Sequence, residues 1–321
     1  MMRVATFPNH KLSMTYTLES QRKVYDLQIQ ASSGKVSTEY AGLGADVHRL
    51  VNLEAATTRT TQYQTNNQIV DHRLQAMETS VSQIYDTVTE FRTLLINALN
   101  ANNAQEMGIA EEARNFKEEI AKLLNIEQDG RRLFSGSRTD TVPVDLTGWT
   151  PPVWPLTPPL TQYTDEYYQG DQVTLSIDAD VGQTVNYGVT ADEDAFEYVL
   201  RAMHYVEISG TAIDAPTMET ALALVNAALG TTTGDATLGV PQPARDLADI
   251  RTGIGISRRA LENANKTHEE FLLYTQQGIS NIENVDAAQV ISELSANQTQ
   301  LEASYMVISK LSQMSLMNYL S

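Results

Sequence analysis

Residues 70–98 read Val70-Asp-His-Arg-Leu74-Gln-Ala-Met77-Glu-Thr-Ser-Val81-Ser-Gln-Ile84-Tyr-Asp-Thr-Val88-Thr-Glu-Phe91-Arg-Thr-Leu-Leu95-Ile-Asn-Ala98. The numbered positions are all apolar and are spaced alternately by four and three residues. That alternation keeps one stripe of a 3.6-residue helix apolar, so the stretch predicts a long helix with a seam at Leu74, Met77, Val81, Ile84, Val88, Phe91 and Leu95. The same spacing extends upstream, less strictly, through Leu53, Ala56, Thr60, Tyr63 and Asn67. Fifty residues of helix reach roughly 75 Å, too long for the core of one compact domain. Asn67 falls on the seam, where a buried amide fixes register at a cost in stability.

Working outward, the polar run Asn100-Ala-Asn-Asn-Ala-Gln105 predicts a break. A second helix follows, with Ile109, Ala113, Phe116, Ile120 and Leu123 on one stripe and Gly130 as its stop. At Gly136 the pattern changes. Six prolines between Thr139 and Thr164 forbid a long helix there. Val173, Leu175 and Ile177, then Val185, Tyr187 and Val189, alternate with polar residues about an Asp180-Val-Gly182-Gln turn and predict a β-hairpin. Helical spacing resumes at Phe196, Val199, Leu200, Met203 and Val206, and again over Met218–Ala228. From about Arg245 to Leu320 the chain reads as helix, with a seam at Ile291, Leu294, Gln298, Leu301, Tyr305 and Ile308, widened by Leu311, Met314 and Leu316. An amphipathic helix of this kind is marginal alone, so its stripe needs a partner, either the N-terminal helices or a neighbouring subunit.

The expected fold is therefore mainly α with a smaller β-containing insert: long terminal coiled-coil helices, a helical bundle, and an outer mixed α/β domain. Five segments are expected. They are an N-terminal arm (1–46), the first part of the bundle (47–135), the outer domain (136–244), the second part of the bundle (245–284) and a C-terminal arm (285–321).

The 321 residues carry 22 basic and 40 acidic side chains, a formal charge of −18. Such a surface repels nucleic acid and anionic lipid, so neither nucleic acid nor a membrane is an expected partner. No cysteine is present, which removes disulfides, thiolate metal sites and cysteine nucleophiles together. Met1 to Leu18 has two basic residues but no continuous apolar core and no small-residue cleavage site, so no cleaved signal peptide is expected.

Catalytic and cofactor patterns fail on inspection. Gly34-Lys35 resembles the end of a phosphate loop, yet Ile29 stands where the first glycine belongs and Val36 where the hydroxyl belongs. Gly253-Ile-Gly255 lacks both the third glycine and a preceding strand. The five histidines are scattered without an i+4 pair, and solvated helix faces are expected for them. Asp178-Ala-Asp180 lacks the calcium-loop spacing and is expected to form a turn. Glu111-Glu112 and Glu118-Glu119 lie opposite the Phe116 stripe, and Asp192-Glu193-Asp194 suits a helix N-terminus. Trp149, Trp154, Tyr163, Tyr167 and Tyr168 are expected in the core of the outer domain and its linker, in preference to a carbohydrate or protein contact on the exterior. No enzyme activity, metal or cofactor is expected.

The segment Ile282-Glu-Asn-Val-Asp-Ala-Ala-Gln-Val-Ile-Ser-Glu-Leu294, continuing through Gln298-Thr-Gln-Leu-Glu-Ala-Ser-Tyr305, resembles the C-terminal region of the bacterial flagellin superfamily. Ile308-Ser-Lys-Leu-Ser-Gln-Met-Ser-Leu-Met-Asn-Tyr-Leu320 is similar to the family's terminal helix, and Gln30-Ala-Ser-Ser-Gly-Lys35 to its short loop after the first helix. Within the superfamily, Gly130-Arg-Arg-Leu-Phe-Ser-Gly-Ser-Arg-Thr-Asp140, Tyr168-Gln-Gly-Asp171 and Thr190-Ala-Asp-Glu-Asp-Ala-Phe196 resemble the hook–filament junction adaptors more than the filament subunits. One departure stands out: Tyr40-Ala-Gly-Leu-Gly-Ala45 occupies the place of the family's Asp-Asp-Pro-Ala-Gly-like motif.

The resemblance implies a structural subunit of the extracellular bacterial flagellum, exported by the flagellar type III apparatus. It implies assembly with copies of itself and with neighbouring axial proteins, namely another hook-associated protein and flagellin. It also implies an export chaperone on the C-terminal helix. Ile291, Leu294, Leu301, Tyr305, Ile308, Leu311, Met314 and Leu316 are the residues expected to serve assembly and chaperone binding. A filament subunit and a cytoplasmic coiled-coil scaffold stand as the alternatives.

Overall fold

The computed structural model describes residues 6–101, 108–151, 165–210 and 213–320, with side chains between residues 11 and 310. The described part is mainly α. Its helices are α1 (Thr6–Ser33), α2 (Val47–Ala101), α3 (Ile109–Leu124), α4 (Asp194–Ser209), α5 (Ala215–Ala228), α6 (Leu247–Glu283) and α7 (Ala287–Leu320). Two small antiparallel hairpins join β1 (Glu127–Gln128) to β2 (Arg131–Arg132) and β3 (Ser176–Asp180) to β4 (Gln183–Asn186). The chain divides into two compact units, Met1–Thr60 with Glu269–Ser321, and Thr61–His268.

In the first unit α1 and α7 pack side by side. Thr17, Val24 and Leu27 form the buried stripe of α1. On α7, Val290 is buried, and Leu294, Asn297, Leu301, Ser304 and Ile308 are half-buried at alternating spacings of four and three. Ile291, Gln298 and Tyr305 lie one residue further on and are exposed. The sequence admits both registers, because Val290 and Ile291 are equally apolar; packing against α1 selects the first. Residues 47–60 of α2 meet the end of α6 through buried Leu50, through Leu53 against Gly278, and through Thr57 Oγ1, which donates to Thr275 Oγ1 at 3.2 Å.

In the second unit the seam from Val70 to Ala98 is buried throughout. Helix α4 is buried on every side from Ala195 to Val206, between α3 and α5. A helix enclosed in this way must neutralise its own charges. Arg201 Nε donates to Glu197 Oε1 at 2.7 Å, one turn away, and both side chains are only 3 % exposed. Asn67 is fully buried. Its Nδ2 donates to Ala179 O at 3.0 Å and to Asn265 Oδ1 at 3.1 Å, which ties α2 to α6 and to the β3–β4 hairpin. In that hairpin Ile177 pairs with Val185.

Three expectations are corrected. First, α3 ends at Leu124, and Gly130 does not stop it. Asp129 (φ 52°) and Gly130 (φ 73°) are instead the two central residues of the β1–β2 hairpin, the left-handed pair that a type I′ turn requires. Gly130→Val places a β-branched side chain at positive φ; a loss of at least 1–2 kcal/mol is expected by urea denaturation. Second, the C-terminal helix is two helices. The chain breaks at Asn284–Asp286, where Asp286 Oδ1 accepts the amides of Ala288 (2.9 Å) and Gln289 (3.2 Å) and so caps α7. Third, His204 and His268 are buried rather than solvated. His268 stacks on Tyr63 with the ring centroids 5.8 Å apart, and its Nε2 donates to Ala179 O at 2.8 Å.

Helix α2 runs through Asn100 to Ala101; the rest of the expected break lies outside the described residues, as do Trp154 and Tyr163.

Candidate assembly surface

The loop motif Gln30–Lys35 closes α1 and docks on the break between α6 and α7. Gly34 N donates back to Gln30 O at 2.9 Å and ends the helix. Val36 N then donates to Glu283 O (2.6 Å), and Val285 N donates to Gly34 O (3.0 Å), which makes a one-residue antiparallel bridge between Lys35 and Asn284. Lys35 Nζ lies 3.2 and 3.1 Å from the two Glu283 carboxylate oxygens. With side chains 45 % and 23 % exposed, this ion pair is worth about 1 kcal/mol or less. Its role is alignment: backbone bonds and charge together set where α7 begins relative to α1. Lys35 and Glu283 lie 248 residues apart in the chain, and no local pattern in either motif signals that they meet.

Beyond this lock the arms expose large apolar side chains. Leu12, Met14, Tyr16, Leu18 and Tyr25 on α1, and Ile291, Tyr305, Met306 and Val307 on α7, are all exposed. Isolated soluble domains rarely present so many in one unit, and such surfaces mark association sites. Of the residues expected to serve assembly, Leu294, Leu301 and Ile308 are half-buried at the α1–α7 seam, Ile291 is exposed, and Tyr305 is exposed with its hydroxyl accepting from Gln21 Nε2 of α1. Leu311, Met314 and Leu316 lie on α7 past the last described side chains.

In the second unit the three motif segments 130–140, 168–171 and 190–196 converge. Asp171 N donates to Ser135 O (3.2 Å), and Ser137 N donates to Asp171 Oδ1 (2.7 Å). The Ser137 hydroxyl also bonds the Asp171 carboxylate. These Ser137 bonds hold the Asp171 carboxyl below its ordinary value. A side chain at Gly136 would collide with Asp171, since a Cβ there would lie 2.2 Å from its Oδ1. Ala191 N donates to Phe134 O (2.9 Å), and Tyr167 Oη donates to Ala191 O (2.8 Å). Phe134 meets Phe196 edge-on, and Trp149 meets Tyr167 likewise at 5.3 Å. Apart from the Ser137 hydroxyl–Asp171 carboxylate bond, the polar contacts named here each hold a backbone group, so the arrangement is a scaffold.

His204 is packed beside Trp149, with ring centroids 5.5 Å apart, and its Nδ1 lies 3.9 Å from Glu207, which is ion-paired to Lys117. Burial, then the Lys117 ammonium, hold the imidazole below the usual histidine value against the opposing pull of Glu207. The unfolded chain therefore binds this proton more readily than the folded one. The stability from the neutral form is complete above the ordinary value and is lost as pH falls toward the folded value. We expect the melting temperature to fall as pH drops through and below the ordinary histidine value of about 6.5, and His204→Gln to flatten that part of the profile.

Among the described residues there is no group of three or more metal-ligating side chains, and no helix long and apolar enough to cross a membrane. Paired terminal arms with an exposed apolar surface, joined to a helical unit carrying a small β insert, describe an assembling structural subunit. The bacterial flagellin N-terminal helical region matches residues 9–139, and the bacterial flagellin C-terminal helical region matches residues 238–320. These matches cover most of the sequence, and the chain belongs to the bacterial flagellin family.

Along its full length it is similar to flagellar hook-associated protein 3 of Salmonella typhimurium strain LT2, at 20 % identity over 98 % of both chains. A solved structure described as a flagellar hook-associated protein from Vibrio parahaemolyticus shares the fold. Its TM-score is 0.52 at 16 % identity, over 77 % of this chain and 99 % of that one.

Proposed function

We propose that this protein is a structural, non-catalytic subunit of the extracellular bacterial flagellum, acting as an adaptor at the hook–filament junction. The observation that carries this reading is the similarity to hook-associated protein 3 over 98 % of both chains, central segment included. The arms supply the mechanism. Helices α1 and α7 bury one seam against each other and leave exposed apolar side chains, Ile291 among them, for copies of the chain and for neighbouring axial proteins. The same face of α7 is the segment we assign to an export chaperone before assembly, with export through the flagellar type III apparatus. In this reading residues 1–46 and 285–321 are assembly arms, 47–135 and 245–284 form the bundle, and 136–244 form the outer domain.

Immunogold labelling of intact flagella tests the assignment. A single labelled band at the hook end is expected. Label along the whole length would instead identify a filament subunit, and label confined to the cytoplasm would end the flagellar reading altogether.

A further inference from the structure

In the second unit, helix α2 and the β1–β2 hairpin enclose a narrow cleft with about 20 Å³ of free space. Arg73, Arg131 and Arg132 line it, with Met77, Leu175 and Tyr187 among its apolar walls. Arg132 lies 3.1 Å from Glu127. Arg73 and Arg131 have no ion-pair partner among the described residues, and Arg73 Nε is buried without a hydrogen bond. None of the described lining residues is acidic. Three guanidiniums thus face one carboxylate in a chain whose formal charge is −18, a local inversion of sign against apolar walls that strengthen charge interactions. Planar guanidinium groups bind carboxylates through paired N–H donors. The free space holds about one water-sized group, so one carboxylate oxygen can enter it while the rest of the side chain stays at the mouth.

We propose that this cleft receives the side-chain carboxylate of an Asp or Glu from a second copy of this chain. The inference rests on the assembly reading above. The occupant follows from charge: subunits with 40 acidic and 22 basic side chains repel one another when packed together. A cationic cleft that takes a neighbour's carboxylate offsets that repulsion and fixes the register between copies. Arg131 is exposed and reachable by another chain, whereas Arg73 and Arg132 are partly buried behind it.

The full-length variants Arg73→Lys and Arg131→Lys keep the charge and place a primary amine in the cleft. A carbodiimide couples such an amine only to a carboxylate within contact distance. In isolated flagella, an amide between the introduced amine and an Asp or Glu of a second copy is expected, and it should be lost in dissociated monomers. A crosslink only to Glu127 of the same chain, a crosslink to a different axial protein, or none at all in flagella that contain the variant would overturn the proposal. The wild-type chain gives an independent readout if a variant is poorly incorporated: phenylglyoxal should modify Arg131 in monomers and not in flagella, and equal modification counts against the cleft. Antibody detection of the chain in the same flagella separates the two readings. Its presence without crosslink or protection removes only the cleft proposal, while its absence removes the assembly reading itself.

Discussion

Phe91→Ala is expected to destabilise the second unit by about 3–5 kcal/mol, the largest single effect of any truncation along the seam. Phe91 is fully buried on α2 and meets Phe116 of α3 edge-on, with ring centroids 6.0 Å apart. Truncation removes the transfer free energy of the ring and leaves a cavity between two helices whose backbones cannot both close on it. It also removes an aromatic pair worth roughly 0.5–1.5 kcal/mol beyond its buried area. For a unit of this size the midpoint of thermal unfolding should fall by on the order of 10 °C, measured by circular dichroism. A midpoint within error of wild type would show that the seam between Val88 and Leu95 does not hold the bundle together.

Leu301→Asp and Ile308→Asp are each expected to abolish motility while leaving the melting of the second unit unchanged. Both side chains are half-buried on α7, in the stripe that continues from Val290 and Leu294. A carboxylate there must be desolvated without a partner or must force α7 off α1. Two helices packed only on one another have little stability in reserve, since the isolated helices are marginal. The paired readout matters: lost motility with intact melting places the damage in the arms, where the assembly reading needs it. Normal swimming in both variants would remove the arms from the assembly mechanism.

These two cases also mark what could be read from the residues. The α2 seam was legible because nine consecutive positions repeat one spacing, and burial on one face follows whatever the partner is. The seam of α7 was legible only to within one residue. Val290 and Ile291 both fit a spacing of three and four, and the facing helix α1 decides between them. The expected helix end at Gly130 runs against the Asp129-Gly130 pair, since Asp-Gly is the strongest short hairpin signal. Asp286 gives no distinct N-cap signal, because the helical pattern continues on both sides of Asn284–Asp286. The buried histidines are illegible in the sequence for another reason. A histidine on a polar-looking face is buried only if something covers it, as Trp149 covers His204 and Tyr63 and the Ala179 carbonyl cover His268.

The candidate surface divides in the same way. The motifs at Gln30–Lys35, Gly130–Asp140, Tyr168–Asp171 and Thr190–Phe196 were visible as words in the sequence, and they pointed to the family. Their physical meaning was not visible, since it lies in bonds between groups far apart in the chain. Gly34 accepts the amide of Val285, and Asp171 accepts that of Ser137.

By itself the sequence determined the helical class, the absence of thiol chemistry, the strongly acidic surface and the flagellin-type ends, because periodicity, composition and short motifs are local properties. Tertiary structure alone decided the register of α7, the docking of the Lys35 loop on Glu283, the burial of α4 on every side and the isolation of Arg73 and Arg131. Each of these depends on which face of one element another covers, and local residue order does not encode that choice.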